Sequence, residues 1–222
     1  MEPYIVKVKT VDTLTHDTLK ITTEKPAGYS YTPGQATELA INKEYWNSEK
    51  RPFTFTSLPS DNHLEFIIKT YPSHNSVTNE LLKLVPNDEL IIHDSWGAIT
   101  YKGPGLFIAG GAGVTPFISI FRQLAKENML SGNRLIFANK KKEDIILEEE
   151  LKNLIGEELI SILSDESLNG HRYGFITQQL LKEMLPHYNE NLYVCGPPPM
   201  MDAVMQSLTN LGVSDKSVTV EL

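Results

Sequence analysis

Leu106-Phe107-Ile108-Ala109-Gly110-Gly111-Ala112-Gly113-Val114-Thr115-Pro116 is the stretch that decides the fold of this 222-residue chain. Residues 106–109 form a short apolar run of strand character. A glycine-rich turn follows, and Pro116 then opens a helical pattern to residue 126, with Phe117, Ile120, Phe121 and Leu124 on one face. Glycines at such a turn let backbone approach a phosphate closely. Thr115 is expected as the N-cap and Pro116 at the first helical position. Free N–H groups and the positive end of the helix dipole then face the turn, a setting that suits a pyrophosphate. The alternative is a tight structural turn. The pattern departs from the ordinary dinucleotide fingerprint, because Pro116 occupies the third glycine position. Asn139-Lys140-Lys141-Lys142 also stands where an acid facing a ribose is common.

Downstream, strand and helix patterns alternate: strand 135–138, helix 145–155, strand 159–163, helix 177–185, strand 192–195, helix 199–211 and strand 217–221. Such alternation predicts a parallel sheet with helices on both faces. Upstream the rhythm differs. YIVKVKT (4–10), TLKITTE (18–24), ATELAI (36–41), FTFTSL (53–58), LEFIIKT (64–70) and ELIIHD (89–94) are short β-rich runs separated by Gly, Pro, Asn and Asp. They predict an antiparallel six-stranded barrel. A short helix over 77–85 lies across one end, and Thr78 is placed to cap it. The change of character puts the domain boundary between residues 102 and 103, with 103–105 as the hinge. The fold class is thus an all-β half (1–102) followed by an α/β half (103–222).

Composition excludes several classes. The net charge of −8 disfavours nucleic acid, which requires clustered Lys and Arg. No apolar run approaches the roughly 18 residues of a membrane span, and the N-terminus reads as a strand, so a cytoplasmic protein is expected. The single cysteine, Cys195, excludes an internal disulfide and a cysteine-held cluster. His63, His74, His93, His171 and His187 show no metal-ligand spacing, so no metal is expected.

Two further runs carry candidate chemistry. Cys195-Gly196-Pro197-Pro198-Pro199-Met200 closes one parallel strand and opens a helix. It therefore shares the carboxyl edge of the sheet with the 110–113 turn. Cys195 is either an inert small apolar group or part of a pocket wall. In the barrel half, Arg51-Pro52-Phe53-Thr54-Phe55-Thr56-Ser57 alternates aromatic and hydroxyl residues. Two core phenylalanines and a solvated arginine are one reading. The other sets Arg51 against a phosphate and Thr54 against a cofactor ring.

Together these runs resemble the ferredoxin–NADP reductase family over essentially the whole chain, including its short bacterial flavodoxin and ferredoxin reductases and its cytochrome b5 reductase-type modules. Arg51-Pro52-Phe53-Thr54 is similar to the family's Arg-x-Tyr-Ser/Thr flavin motif. Gly110–Pro116 matches its Gly-Gly-x-Gly-x-Thr-Pro turn, and residues 195–200 match its Cys-Gly-Pro-Pro-Pro-Met run. Pro33-Gly34-Gln35 matches a turn common in its barrels.

The resemblance implies FAD as cofactor and NADPH or NADH as reductant, with hydride passing to the flavin and single electrons leaving to a flavodoxin- or ferredoxin-like carrier. It implies that Arg51 pairs with the FAD pyrophosphate, that Pro52 belongs to the same cofactor-binding run, that Phe53 lies against the ring, and that Thr54 bonds near flavin N5. Ile68 and Lys69 belong to the strand beside the flavin, and Asn75, Ser76, Val77 and Thr78 to the loop over the pyrophosphate. Gly111, Gly113, Thr115 and Pro116 hold the nicotinamide nucleotide, Asn139 and Lys140 flank its ribose, and Cys195, Gly196 and Pro197 frame the nicotinamide. Glu221 takes the place of the family's terminal acid near the flavin, making Thr54, Cys195 and Glu221 the catalytic candidates. Lys140 and Lys141 incline the reductant towards NADPH. A monomer is expected, with Lys43, Lys50 and Lys102 as candidates for docking an acidic carrier. Alternatives within the fold are an electron-transfer subunit of a larger complex and a ferric-chelate or free-flavin reductase. A flavin-free binding module is a third.

Overall fold

The structure is a computed structural model of the chain. It describes residues 2–71, 76–97, 99–187 and 191–220, so Asn75 and Glu221 lie outside the described residues. Six strands come first: β1 Tyr4–Thr15, β2 Thr18–Glu24, β3 Ala36–Ile41, β4 Arg51–Thr54, β5 His63–Lys69 and β6 Glu89–Ile92. They form one antiparallel sheet in the order β4-β3-β6-β1-β2-β5. The two ends of this sheet meet through the bridge of Phe55 to Phe66, which closes it. β1 runs on to Thr15, well past the predicted residue 10, because it pairs with both β6 and β2. Its register shifts near residues 8–10 and 13–15 supply the bend that closure needs.

Alternation sends Val6, Val8, Leu19, Ile21, Leu39, Ile41, Leu64, Phe66 and Ile68 into the barrel core. The predicted strand 53–58 is displaced: pairing begins at Arg51 and ends at Thr54, and Phe55 turns into the core. The helix at the barrel end is α1, Val77–Glu80, continued by a 3-10 turn, Leu81–Lys83. Val77, Leu81 and Leu84 plug the core. Ser76, not Thr78, stands at its N-cap position, and the Thr78 hydroxyl is bonded to that of Ser76 at 2.9 Å.

The second sheet is parallel throughout: β7 Leu106–Gly110, β8 Arg134–Asn139, β9 Leu159–Leu163, β10 Arg172–Tyr173, β11 Leu192–Cys195 and β12 Val218–Val220, in the order β10-β9-β8-β7-β11-β12. Along β7 the side chains alternate between two cores. Phe107 and Ala109 pack under α2 (Thr115–Lys126) and α3 (Glu148–Ile155); Leu106 and Ile108 face α4 (Gln178–Met184) and α5 (Pro198–Asn210). The predicted helix 145–155 starts only at Glu148, since Leu147 has a φ of 51°, a left-handed conformation that interrupts the helical run. β10 escaped the sequence reading because a two-residue strand carries no periodicity.

The segment between the halves is fastened. The buried Tyr193 hydroxyl accepts from the N–H of Lys102 and of Gly103 and donates to the Gly103 carbonyl. Among the described residues no helix is long and apolar enough to cross a membrane.

Candidate nucleotide-binding crevice

From β7 the chain steps outward through β8, β9 and β10, then returns to the other side of β7 to form β11 and β12. The loops after β7 and β11 therefore leave in opposite directions, and a crevice opens between them at the carboxyl edge. Register places the residues of that edge in a row. Cys195 pairs with Ala109, Gly110 with Ala138, Asn139 with Leu163, and Leu163 with Tyr173.

The glycines of the crevice do two different jobs. A Cβ on Gly113 would sit 2.3 Å from the Cys195 carbonyl oxygen, and one on Gly110 would sit 2.4 Å from the Met200 sulfur. A Cβ on Gly196 would meet Met200 Cε at 2.6 Å. Gly113 thus brings the two loops into backbone contact, while Gly110 and Gly196 make room for the Met200 side chain between them. Gly111 is different: its φ is +50° and a Cβ there would meet nothing within 4 Å. It is the glycine that borders open space. Thr115 is not the N-cap. Residues Gly111–Val114 wind as a 3-10 turn straight into α2, so Thr115 lies in the first helical turn and its hydroxyl donates back to the Ala112 carbonyl at 3.0 Å. Pro116, the second residue of α2, is buried.

Asn139 ends β8 and is 9% exposed, yet neither its amide nitrogen nor its amide oxygen has a hydrogen-bond partner among the described residues. A buried primary amide left open in this way has both a donor and an acceptor to offer. The following loop is acidic on balance. Lys141 faces Glu143, and Lys142 is held by Glu148. Asp144 accepts from the Lys141 N–H, Glu166 accepts from the Lys142 N–H, and the Asp165 N–H donates to the Lys140 carbonyl. At the far end of the row Tyr173 and Phe175 flank Gly174, whose φ is 109°, and are 69% and 76% exposed. The sequence reading missed both aromatics.

On the barrel, Arg51 is exposed; its guanidinium donates to the Lys50 carbonyl at 2.6 Å and meets Glu49 at 3.4 Å. Pro52 is exposed and Phe53 half-buried, whereas Thr54 is buried beside Ala36, which in turn bridges the half-exposed Trp96. Such an exposed cation next to a part-open aromatic and a hydroxyl suits a flavin nucleotide. Two expected neighbours do not present side chains there. Ile68 points into the barrel core, and the Lys69 ammonium is 2.7 Å from Asp17. Burial alone would raise the Asp17 carboxyl, but Lys69, Thr15 and His16 outweigh it and hold it below its ordinary value. His16 and Asp17 gather with Asp144 at the seam between the halves, and Asp17 is already committed to Lys69.

The two regions adjoin. Thr54 leads to Phe55, Phe55 bridges Phe66, and the next residue, Ile67, packs in the same cluster as Val114 of the glycine turn. Cys195 is buried in that cluster too.

Residues 4–115 match the family described as FAD-binding domain, and residues 107–206 the one described as Oxidoreductase NAD-binding domain. Among curated proteins, the chain is 32% identical over 72% of its length to an NADH-cytochrome b5 reductase 1 of Aspergillus oryzae, covering 61% of it. It is 26% identical over 95% of its length to the Naphthalene 1,2-dioxygenase system ferredoxin--NAD(P)(+), reductase component of Pseudomonas putida, covering 66% of it. A 2-halobenzoate 1,2-dioxygenase electron transfer component of Burkholderia cepacia is 29% identical over 78% of the chain, which spans 53% of that protein. The fold is that of a ferredoxin NADP+ reductase from Neisseria gonorrhoeae with bound FAD and NADP, at a TM-score of 0.85 and 18% identity over 100% of this chain and 98% of that one. The chain belongs to the ferredoxin reductase-like flavoproteins, an FAD-binding domain followed by an oxidoreductase NAD-binding domain.

Proposed function

We propose that this chain is an NAD(P)H-dependent flavoprotein reductase that delivers electrons one at a time to a separate carrier of flavodoxin or ferredoxin type. The observation that carries this reading is the adjacency just described: strand β5, bridged to the exit of β4, lies against the glycine turn of the parallel sheet. We take residues 1–102 as the FAD-binding unit and 103–222 as the NAD(P)-binding unit, in a cytoplasmic monomer. When bound, the flavin supplies the conversion between a two-electron donor and one-electron deliveries.

The chain's own residues bind and orient. Arg51 offers its guanidinium to a pyrophosphate, with N–H groups at the start of α1 beside Ser76 and Thr78 as further donors. Phe53 offers a flat apolar face, and Thr54 a hydroxyl at the ring edge. Gly111 leaves space for phosphate, the Asn139 amide meets ribose hydroxyls, and Tyr173 offers a stacking face for adenine. Pro197 and Cys195 wall the nicotinamide end and exclude water.

The reductant is taken as NADH ahead of NADPH. Lys140, Lys141 and Lys142 are outnumbered by Glu143, Asp144, Glu148, Asp165 and Glu166 around the loop, an arrangement that disfavours an added 2′-phosphate. Protein reconstituted with FAD is expected to reduce ferricyanide with NADH, at a kcat/KM at least about tenfold above that with NADPH. Absence of turnover with either nucleotide would count against the whole reading. A second reading, a component working only inside a larger electron-transfer assembly, is favoured by the similarity to the Burkholderia electron transfer component and the Pseudomonas reductase component of dioxygenase systems. It predicts flavin reduction without free turnover of soluble acceptors.

Arg51→Ala is expected to weaken FAD binding about tenfold, the loss of one charge-assisted contact at a site open to solvent. Titration of the apoprotein with FAD checks it; an unchanged dissociation constant removes Arg51 from the site.

A further inference from the structure

One face of α2 is the seam between the halves. Ser119, Arg122 and Lys126 recur at the helical spacing and each meets the barrel. The Ser119 hydroxyl oxygen accepts from the Gly34 N–H at 3.0 Å, and the Lys126 ammonium donates to the Ser60 hydroxyl at 2.7 Å. Gly34 belongs to the Pro33-Gly34-Gln35 turn. Its φ is +96°, and a Cβ there would lie 2.3 Å from the Ile99 carbonyl oxygen.

Arg122 is the centre of this face. Its Nη1 donates to the Thr56 carbonyl at 2.7 Å and to Glu65 Oε1 at 2.6 Å, while Nε and Nη2 grip Glu150 of α3 at 2.5 and 2.9 Å. Burial opposes the guanidinium charge, but Glu150 and Glu65 hold it above its ordinary value. The barrel side is itself braced. The Thr56 hydroxyl donates to Glu65 Oε1, the Glu65 N–H donates to the Ser57 hydroxyl oxygen, and Ser57 is bonded to the Tyr31 hydroxyl. Thr56 lies two residues beyond Thr54, and α2 begins at the glycine turn. A single planar group therefore ties the exit of the flavin strand to the helix that carries the nicotinamide-nucleotide turn.

We propose that Arg122 is a positioning residue that sets the register between the two nucleotide sites, and so the approach of nicotinamide to flavin. This rests on the reductase reading above. A guanidinium fork satisfies two carboxylates and a carbonyl at fixed angles, which an ammonium cannot do. Loss of that fork lets the halves shift, and a displacement near 1 Å at a reacting centre costs about 100-fold in rate.

The test compares wild type with Arg122→Gln, Arg122→Lys and Glu150→Gln. The last keeps the Thr56 and Glu65 bonds and guards against misfolding of the first. Hydrogen exchange on the apoprotein comes first: the Gly34 amide and residues 54–57 are expected to exchange faster in Arg122→Gln while the centre of the parallel sheet does not. FAD affinity is expected to stay within about twofold. In stopped flow, the limiting rate of flavin bleaching by NADH is expected to fall about 100-fold in Arg122→Gln. The NADH dissociation constant should move less than about threefold, with Arg122→Lys and Glu150→Gln intermediate. An unchanged limiting rate, a loss confined to NADH affinity, or unchanged seam exchange overturns the proposal. A wild-type flavin that neither NADH nor NADPH bleaches overturns the reductase reading instead, and the exchange arm still reports on the seam.

Discussion

Gly113→Ala is expected to slow the bleaching of bound flavin by NADH about 100-fold while FAD affinity is unchanged. The added Cβ would stand 2.3 Å from the Cys195 oxygen, 2.5 Å from its carbonyl carbon and 2.6 Å from the Gly196 Cα. All three are backbone atoms, so no side-chain rotation relieves the clash. The β7 and β11 loops must part, and the crevice that receives the nicotinamide end widens by a sizeable part of an ångström; misplacement on that scale is worth about two orders of magnitude. Gly111→Ala is the contrasting variant. Its Cβ meets no protein atom, so the expected stability cost is the left-handed backbone alone, about 1 kcal/mol. Its effect on reduction falls on NADH affinity, because that space is where the phosphate would lie. Stopped-flow reduction and thermal unfolding of both variants separate the effects. Equal rates for Gly113→Ala and wild type would mean that contact between the two loops does not shape the site.

Phe55→Ala is expected to remove about 3–5 kcal/mol of stability, the range for a fully buried phenylalanine. Phe55 is completely buried, stacks on Tyr31 with ring centroids 4.2 Å apart, and meets Tyr29 at 5.8 Å and Phe66 at 5.3 Å. It also makes the bridge that closes the barrel, so the cavity opens where the first and last strands of the sheet join. Urea unfolding of the apoprotein gives the size of the loss. Saturating FAD should recover part of it, because a ligand that binds only the folded barrel stabilises it by mass action. A loss below about 1 kcal/mol would mean that Phe55 is not part of the barrel core.

Much of the fold was legible because the barrel strands carry turn-bounded β-rich patterns and the central strands of the parallel sheet, buried on both faces, read as short apolar runs. The alternation in 18–24 and 64–70 gives β2 and β5 almost to the residue, and the apolar strand before Gly110 gives β7. What escaped depends on partners distant in sequence or on backbone angles that composition does not reveal. Phe55 leaves its strand because Phe66 offers a bridge and Tyr31 a stacking face. Leu147 adopts a positive φ, a conformation that a leucine gives no reason to expect. Thr115 looked like a cap, but the residues before it already wind as a 3-10 turn.

At the site, Asn139 was legible from its place after a strand, while its unmet amide was visible only once neighbours were known. Gly111 and Gly113 were read as phosphate contacts and Gly196 as part of the nicotinamide frame; the close approach of Gly113 to the Cys195 carbonyl, and the open space beside Gly111, were visible only in three dimensions. Arg122 gave no signal beyond a charged residue on an apolar helix. Its partners Thr56 and Glu65 lie 66 and 57 residues away. The Lys140–Lys142 run suggested affinity for a phosphate, but acids from three separate segments surround it.

The most direct measurement is the visible absorption spectrum of the purified protein saturated with FAD, followed through an anaerobic titration with NADH. The account predicts protein-bound flavin bands at about 370 and 450 nm that bleach as one equivalent of NADH is added. A protein that takes up no FAD, or a bound flavin whose bands neither NADH nor NADPH diminishes, would contradict it.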